Sequence, residues 1–148
     1  MYERRSFINM TILIADDDMD DRLFMERALR QNGFTQAINF VEDGEDLMEY
    51  LRQNGRYKGQ QPVYPNLLIL DLNMPRKNGF QALAEIKADP ALRRLPVIVM
   101  STSSTHEDVL KTYNLGVNSF VIKPFNFNRL VEIVGALKLY WMDIVKLP

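Results

Sequence analysis

The chain has no cysteine among its 148 residues. That excludes a disulfide framework and any thiolate metal site, and it fits a reducing compartment, so the cytoplasm is the expected location. An excess of one charge is also missing. Lys and Arg number 18 against 19 Asp and Glu, a formal net charge of -1, so the broad basic field that drives binding to nucleic acid or anionic membranes is absent. Neither is expected as a partner. Long apolar runs are lacking as well: the basic residues within positions 1–10 are followed by a short apolar run that ends in acids, which suits neither a signal peptide nor a membrane span. There is no internal repeat and no low-complexity tract. The one histidine, His106, sits among Ser, Thr and Glu and reads as a solvated or capping residue without a catalytic role. Arg93 and Arg94 read as a solvated loop.

What is present is ordinary for a globular protein, with 47% apolar and 25% charged residues. The length suits a single domain over residues 1–148, with a core of about 11–138 and an extension over 139–148. Strand and helix signals alternate along it. Thr11 to Ala15 is a short apolar run stopped by Asp16, Asp17 and Asp18, as expected of a strand buried on both faces. Phe24, Met25, Ala28 and Leu29 follow at helical spacing, and Gly33 stands where a helix would end. Strands are then predicted at 37–41, 67–70, 97–100 and 119–122. Helices are predicted at 44–52, around Phe80, Leu83, Ala84 and Ile86, around Val109, Leu110 and Tyr113 with Gly116 as terminator, and along Phe127, Leu130, Val131, Val134 and Leu137 with Asn126 as N-cap. Five βα units imply a doubly wound three-layer α/β sandwich with a parallel five-stranded sheet. In such sheets ligands bind beyond the carboxyl ends of the strands.

Those ends carry a consistent chemistry. Asp16 and Asp17 follow the first strand, Asp71 the third, Ser101 the fourth and Lys123 the fifth. Clustered carboxylates repel unless a cation joins them, and a hard oxygen-only set suits Mg²⁺. A carboxylate nucleophile such as Asp71 can form an acyl phosphate, in which the protein's task is positioning and charge neutralisation. Lys123 supplies a compact cation for one phosphoryl oxygen, and the Ser101 hydroxyl can donate to another. Taken singly, acids after a strand more often cap a helix, and Asp18 and Asp20 are assigned that role. Their joint placement with Ser101 and Lys123 favours the chemical reading. Between residues 73 and 79 the composition is that of a turn, and Gly79 is expected to supply backbone angles that other residues avoid.

Four blocks then resemble the response-regulator receiver family, the chemotaxis-regulator-like domains of bacterial two-component signalling. They are Ile12 to Asp17, Leu70 to Pro75 with Gly79, Val99 to Ser101, and Phe120 to Phe125. The resemblance covers residues 11 to 138. It implies the flavodoxin-like strand order 2-1-3-4-5 and phosphorylation of Asp71 from the phosphohistidine of a sensor histidine kinase or a phosphotransfer protein. It further implies direct Mg²⁺ ligation by Asp17, Asp71 and the Asn73 backbone carbonyl, with Asp16 acting largely through water. Ser101 and Lys123 would contact the phosphoryl group, and the Lys123–Pro124 peptide is expected to be cis. Ser101 and Phe120 would form the switch, although Phe120 stands where tyrosine is commoner and reads equally well as plain core. Thr102 replaces the small residue many receivers place after the switch hydroxyl, so access for the phosphoryl group is expected to be tighter.

The long polar connection over 52–65 and the apolar tail from Leu139 to Pro148 look like the subgroup typified by cyanobacterial phytochrome response regulators. Members of that subgroup are usually free-standing, and a photoreceptor is one candidate sensor. The tail around Trp141 has two readings, packing against the end of the sheet or contact with a second copy or a kinase. A homodimer would use the fourth helix, fifth strand and fifth helix together with this tail. Too little chain follows residue 138 for a DNA-binding domain, so output is expected to pass to a downstream protein target. Two rivals remain. A Mg²⁺-dependent aspartyl phosphohydrolase would place a second Asp two residues after the nucleophile, where this chain has Asn73. A phosphate-independent interaction module would be expected to have lost part of the acidic pair or Lys123, and both are intact. The chain is thus read as a self-modifying switch and not as an enzyme acting on a metabolite.

Overall fold

In a computed structural model that describes residues 10–148, five strands and five helices alternate. The basic segment over 1–10 lies, apart from Met10, outside the described residues. Strands β1 (Thr11–Ala15), β2 (Ala37–Val41), β3 (Leu67–Leu70), β4 (Val97–Ser101) and β5 (Ser119–Ile122) form one parallel sheet in the order β2-β1-β3-β4-β5. Helices α1 (Met19–Gln31), α2 (Gly44–Arg52), α3 (Gly79–Ala88), α4 (His106–Asn114) and α5 (Phe127–Lys138) connect and cover it. Among the described residues no helix is long and apolar enough to cross a membrane.

Side-chain alternation along the strands divides the interior into two layers. Leu13, Leu68, Leu70, Val97 and Val99 pack with Leu47, Leu51, Leu83 and Ile86 of α2 and α3. Ile12, Ile14, Ile69, Ile98 and Met100 face the other way, against Met25 and Leu29 of α1 and Leu130 and Val134 of α5. The chain ends the helices where expected: Gly33 and Gly116 take left-handed backbone angles just beyond α1 and α4, at φ +85° and +96°. Asn126 caps α5 by accepting from the Arg129 backbone N–H. Of the apolar residues that mark α4 in the sequence, Val109, Leu110 and Tyr113, none is fully buried. Leu110 and Tyr113 are about half exposed, because α4 lies over the sheet's β5 edge and only Thr112 of the helix is fully covered.

Two expectations change. Among the described residues there is no cis peptide, so Lys123–Pro124 is trans. Trans is the favoured isomer of an X–Pro bond by about 0.5–1 kcal/mol, and in this form the Lys123 N–H already donates to the Ser101 carbonyl at 2.8 Å. Gly79 does not supply unusual backbone angles; that role falls to Arg76, at φ +63°. Gly79 is needed for closeness instead. Its N–H donates to Leu72 at 2.9 Å, and a Cβ there would strike the Asp71 carbonyl and the Leu72 backbone.

The polar connection between α2 and β3 is mostly exposed but anchored. Its short 3₁₀ turn, Gly55–Tyr57, is tied to α2 through the buried Asp46, which accepts from the Tyr57 hydroxyl at 2.6 Å and pairs with Arg56 at 3.4 Å. Beyond α5, Leu139–Ile144 forms a π-helical turn that buries Met142 and leaves Trp141 half-buried against the α1/α5 layer, with Tyr140 outside. Intramolecular packing of the tail is therefore present, and an apolar outer surface remains.

Because the atoms that meet at Gly79 are backbone, Gly79→Ala is expected to cost about 1–3 kcal/mol of stability, measured as a shift of the urea-unfolding midpoint. An unchanged midpoint would contradict the close approach.

Candidate functional site

Register aligns the functional groups before any side chain is considered. Ala15 pairs with Leu70, so Asp16 and Asp71 leave their strands at one level, and the Asp71 N–H donates to the Ala15 carbonyl at 3.0 Å. On the other side Ser101 pairs with Ile122, which sets Lys123 just past the end of β5. A row of acid, acid, hydroxyl and ammonium results along the sheet's carboxyl edge.

Oxygen atoms of Asp16, Asp17 and Asp71 lie within 4.8 Å of one another. Asp16 and Asp71 are buried, whereas Asp17 is exposed. The Lys123 ammonium completes the group, 2.9 Å from Asp16 Oδ2 and 3.7 Å from Asp71 Oδ2. Burial is the main force on these charges: it raises Asp71 from its ordinary 3.8 to about 6, helped by Asp16 and Asp17 and opposed by Lys123 and the Asn73 N–H. Burial likewise raises Asp16. Lys123 is held above the ordinary lysine range, since attraction to Asp71 and Asp16 outweighs its own desolvation. Three crowded carboxylates with one ammonium leave excess negative charge in a half-buried recess, and the all-oxygen donor set fits a hard divalent cation.

Ser101 is fully buried, and its hydroxyl oxygen accepts from the Ser103 N–H at 3.2 Å. Ser103 in turn donates to Asp108 of α4 at 2.5 Å. Phe120 is partly buried against the α2/α3 layer, and its N–H donates to the Tyr113 hydroxyl at 3.2 Å. Asn73 lies beside Asp71, to which its N–H donates at 3.4 Å. Thr102 is exposed, and so is His106 at the start of α4. Asp18 caps α1 by accepting from the Asp20 and Asp21 N–H groups, as assigned.

Several participants are not legible from motif order alone. Asp21 of α1 reaches Lys123 at 3.0 Å; its only signal is a place in the first helical turn, where an acid is expected for the helix dipole anyway. Arg76 pairs with Asp43 beneath the loop after β3, and Gly44 N–H donates to the Lys77 carbonyl at 2.8 Å, so α2 braces that loop. Tyr113 gives no sign in the sequence that its hydroxyl reaches β5.

Residues 12–135 match the model of the response regulator receiver domain. The chain is 36% identical over 137 residues to the response regulator Rcp1 of Synechocystis sp., covering 93% of this chain and 92% of that protein. The Mn²⁺-bound structure of Rcp1 superimposes with a TM-score of 0.87 at 35% identity, over 94% of this chain and 99% of the other. The phosphorylated cyanobacterial phytochrome response regulator RcpA does so with a TM-score of 0.88 at 37% identity, over 95% and 99%.

The raised Asp71 fixes a pH dependence for the metal-free chain. Below 3.8 the group is neutral folded or unfolded; between 3.8 and about 6 the unfolded chain releases the proton first, so stability falls as pH rises through that window. Asp71→Asn is expected to raise the thermal midpoint more at about pH 7 than at about pH 4, and saturating Mg²⁺ to narrow the gap at neutral pH. Equal stabilisation at both pH values would contradict the burial cost.

Proposed function

This chain belongs to the response regulator receiver family, and from that premise we propose that it is a phosphoryl switch charged at Asp71 by a sensor histidine kinase or phosphotransfer protein. The observation that carries the proposal is the Lys123 ammonium set 3.7 Å from Asp71 inside the group formed with Asp16 and Asp17. With its acid raised to about 6, Asp71 is mostly ionised at neutral pH and able to attack. An Asp71 carboxylate oxygen forms the new P–O bond as the P–N bond of the phosphohistidine breaks, and the departing imidazole nitrogen keeps the electron pair. Lys123 faces the developing charge on one phosphoryl oxygen, and Ser101 supplies a donor for another. Asp16, Asp17 and Asp71, with the Asn73 carbonyl, would hold Mg²⁺, whose chemistry there is neutralisation of carboxylate and phosphoryl charge. The chain transforms nothing but itself, through its own phosphorylation and dephosphorylation. Likeness to Mn²⁺-bound Rcp1 and to phosphorylated RcpA supports this reading.

Phosphorylation adds about -1.5 to -2 charges next to Ser101. The route we propose outward runs from the buried Ser101 hydroxyl through Ser103 and Asp108 into α4, and through Tyr113 to the backbone of Phe120. Leu110, Tyr113 and Ile122 are about half exposed on that side and offer an apolar output surface for a downstream protein. Together with Tyr140 and the tail, the same surface is proposed to form the homodimer. A light-regulated kinase is the sensor class that likeness to the phytochrome response regulator RcpA favours.

Incubation with acetyl phosphate and Mg²⁺ is expected to add the mass of one phosphoryl group to wild type and none to Asp71→Asn, read by intact mass spectrometry. A wild-type chain that stays unmodified contradicts the switch. Beryllofluoride with Mg²⁺ is expected to shift the size-exclusion profile toward dimer; a monomer at high concentration with and without it contradicts the dimer.

A further inference from the structure

We infer that Asp21, on the first turn of α1, is a positioning residue that parks Lys123 for the incoming phosphoryl group. The inference rests on the switch reading and adds to it a residue that lies outside the acidic metal group. Lys123 Nζ is 2.9 Å from Asp16 Oδ2 and 3.0 Å from Asp21 Oδ2, yet 3.7 Å from Asp71 Oδ2. An ammonium has three donors. Two are spent on Asp16 and Asp21, and the acceptor carboxylate lies beyond hydrogen-bond range of the nitrogen, so one donor is left for an oxygen that projects from Asp71 once it is phosphorylated.

The division of labour follows from where each carboxylate sits. Asp16 is almost wholly buried and belongs to the group that fits a divalent cation, so its attraction is shared between metal and ammonium. Asp21 has a 37% exposed side chain at the rim and is not in that group, which leaves its carboxylate to Lys123 whether or not a metal is bound. Its backbone is fixed too, because the Asp21 N–H donates to the capping Asp18 Oδ1 at 3.1 Å. An acid that merely answers the helix dipole needs no partner and has no reason to turn onto a lysine at the far edge of the sheet. Without Asp21 the long, flexible lysine side chain would be restrained by Asp16 alone and drawn toward the remaining carboxylates, Asp71 included. Since a rim-exposed ion pair contributes little to folding, the effect should appear in phosphoryl transfer and not in stability.

The test compares wild type, Asp21→Ala and Asp21→Glu as full chains. Measured are the initial rate of phosphorylation by acetyl phosphate at saturating Mg²⁺, the affinity for Mn²⁺, and the thermal midpoint. Asp21→Ala is expected to slow phosphorylation about tenfold, with metal affinity and midpoint nearly unchanged, and Asp21→Glu, which keeps the charge and has room at the rim, to recover at least half of the rate. A wild-type rate in Asp21→Ala, a parallel fall in rate and Mn²⁺ affinity, or no recovery in Asp21→Glu would each overturn the positioning role while leaving the switch standing. A wild-type chain that cannot be phosphorylated overturns the switch and this inference with it.

Discussion

The structure depends on one electrostatic problem, the gathering of Asp16, Asp17 and Asp71 at the end of a sheet, where among the described residues the Lys123 ammonium answers them. Removing carboxylates from water is costly, and like charges add to the cost. Burial accordingly raises Asp71 to about 6 and holds Asp16 above the ordinary range. A fold whose goal was stability alone would not assemble this group. The rest of the chain supplies the rigidity that keeps it together. Parallel register sets the level of each strand end, fully buried leucine, isoleucine and valine layers lock both sheet faces, and Gly79 permits α3 to start against the backbone of Asp71 itself.

Much of this could be read from the chain in order. Uninterrupted runs such as Thr11 to Ala15 and Leu67 to Leu70 read as strands covered on both sides, and each stops at an acid that stands at the carboxyl edge of the sheet. Strand ends therefore disclosed Asp16, Asp71, Ser101 and Lys123 together. What stayed hidden depends on three-dimensional closure. Asp21 looks like any first-turn acid until α1 packs and turns it onto Lys123. The pairing of Asp43 with Arg76 and of Asp46 with Tyr57 joins segments whose sequence shows only turns and charges. The expected angles at Gly79 failed for a related reason: the turn before α3 places its left-handed residue at Arg76, where a side chain can reach Asp43, and uses the glycine for contact.

Charge at the site and packing at the surface are linked through short connections. Ser101 is the last residue of a buried strand, and two hydrogen bonds beyond it lies α4. That helix buries little of itself, carries half-exposed Leu110 and Tyr113, and meets β5 where the Phe120 N–H donates to the Tyr113 hydroxyl. An element held so lightly can be shifted by one added group, whereas α1 and α5, packed tightly on each other and on the sheet, serve as the fixed frame. The tail extends that frame by burying Met142.

The central claim is that the strand-end row is a phosphoryl site centred on Asp71. It is tested most directly by a crystal structure of the chain with Mg²⁺ and beryllofluoride. The account predicts beryllium bonded to an Asp71 carboxylate oxygen, with its fluorines contacted by the Lys123 ammonium and the Ser101 hydroxyl. Beryllofluoride bound elsewhere, or an Asp71 left free while Lys123 keeps to the carboxylates, would contradict it.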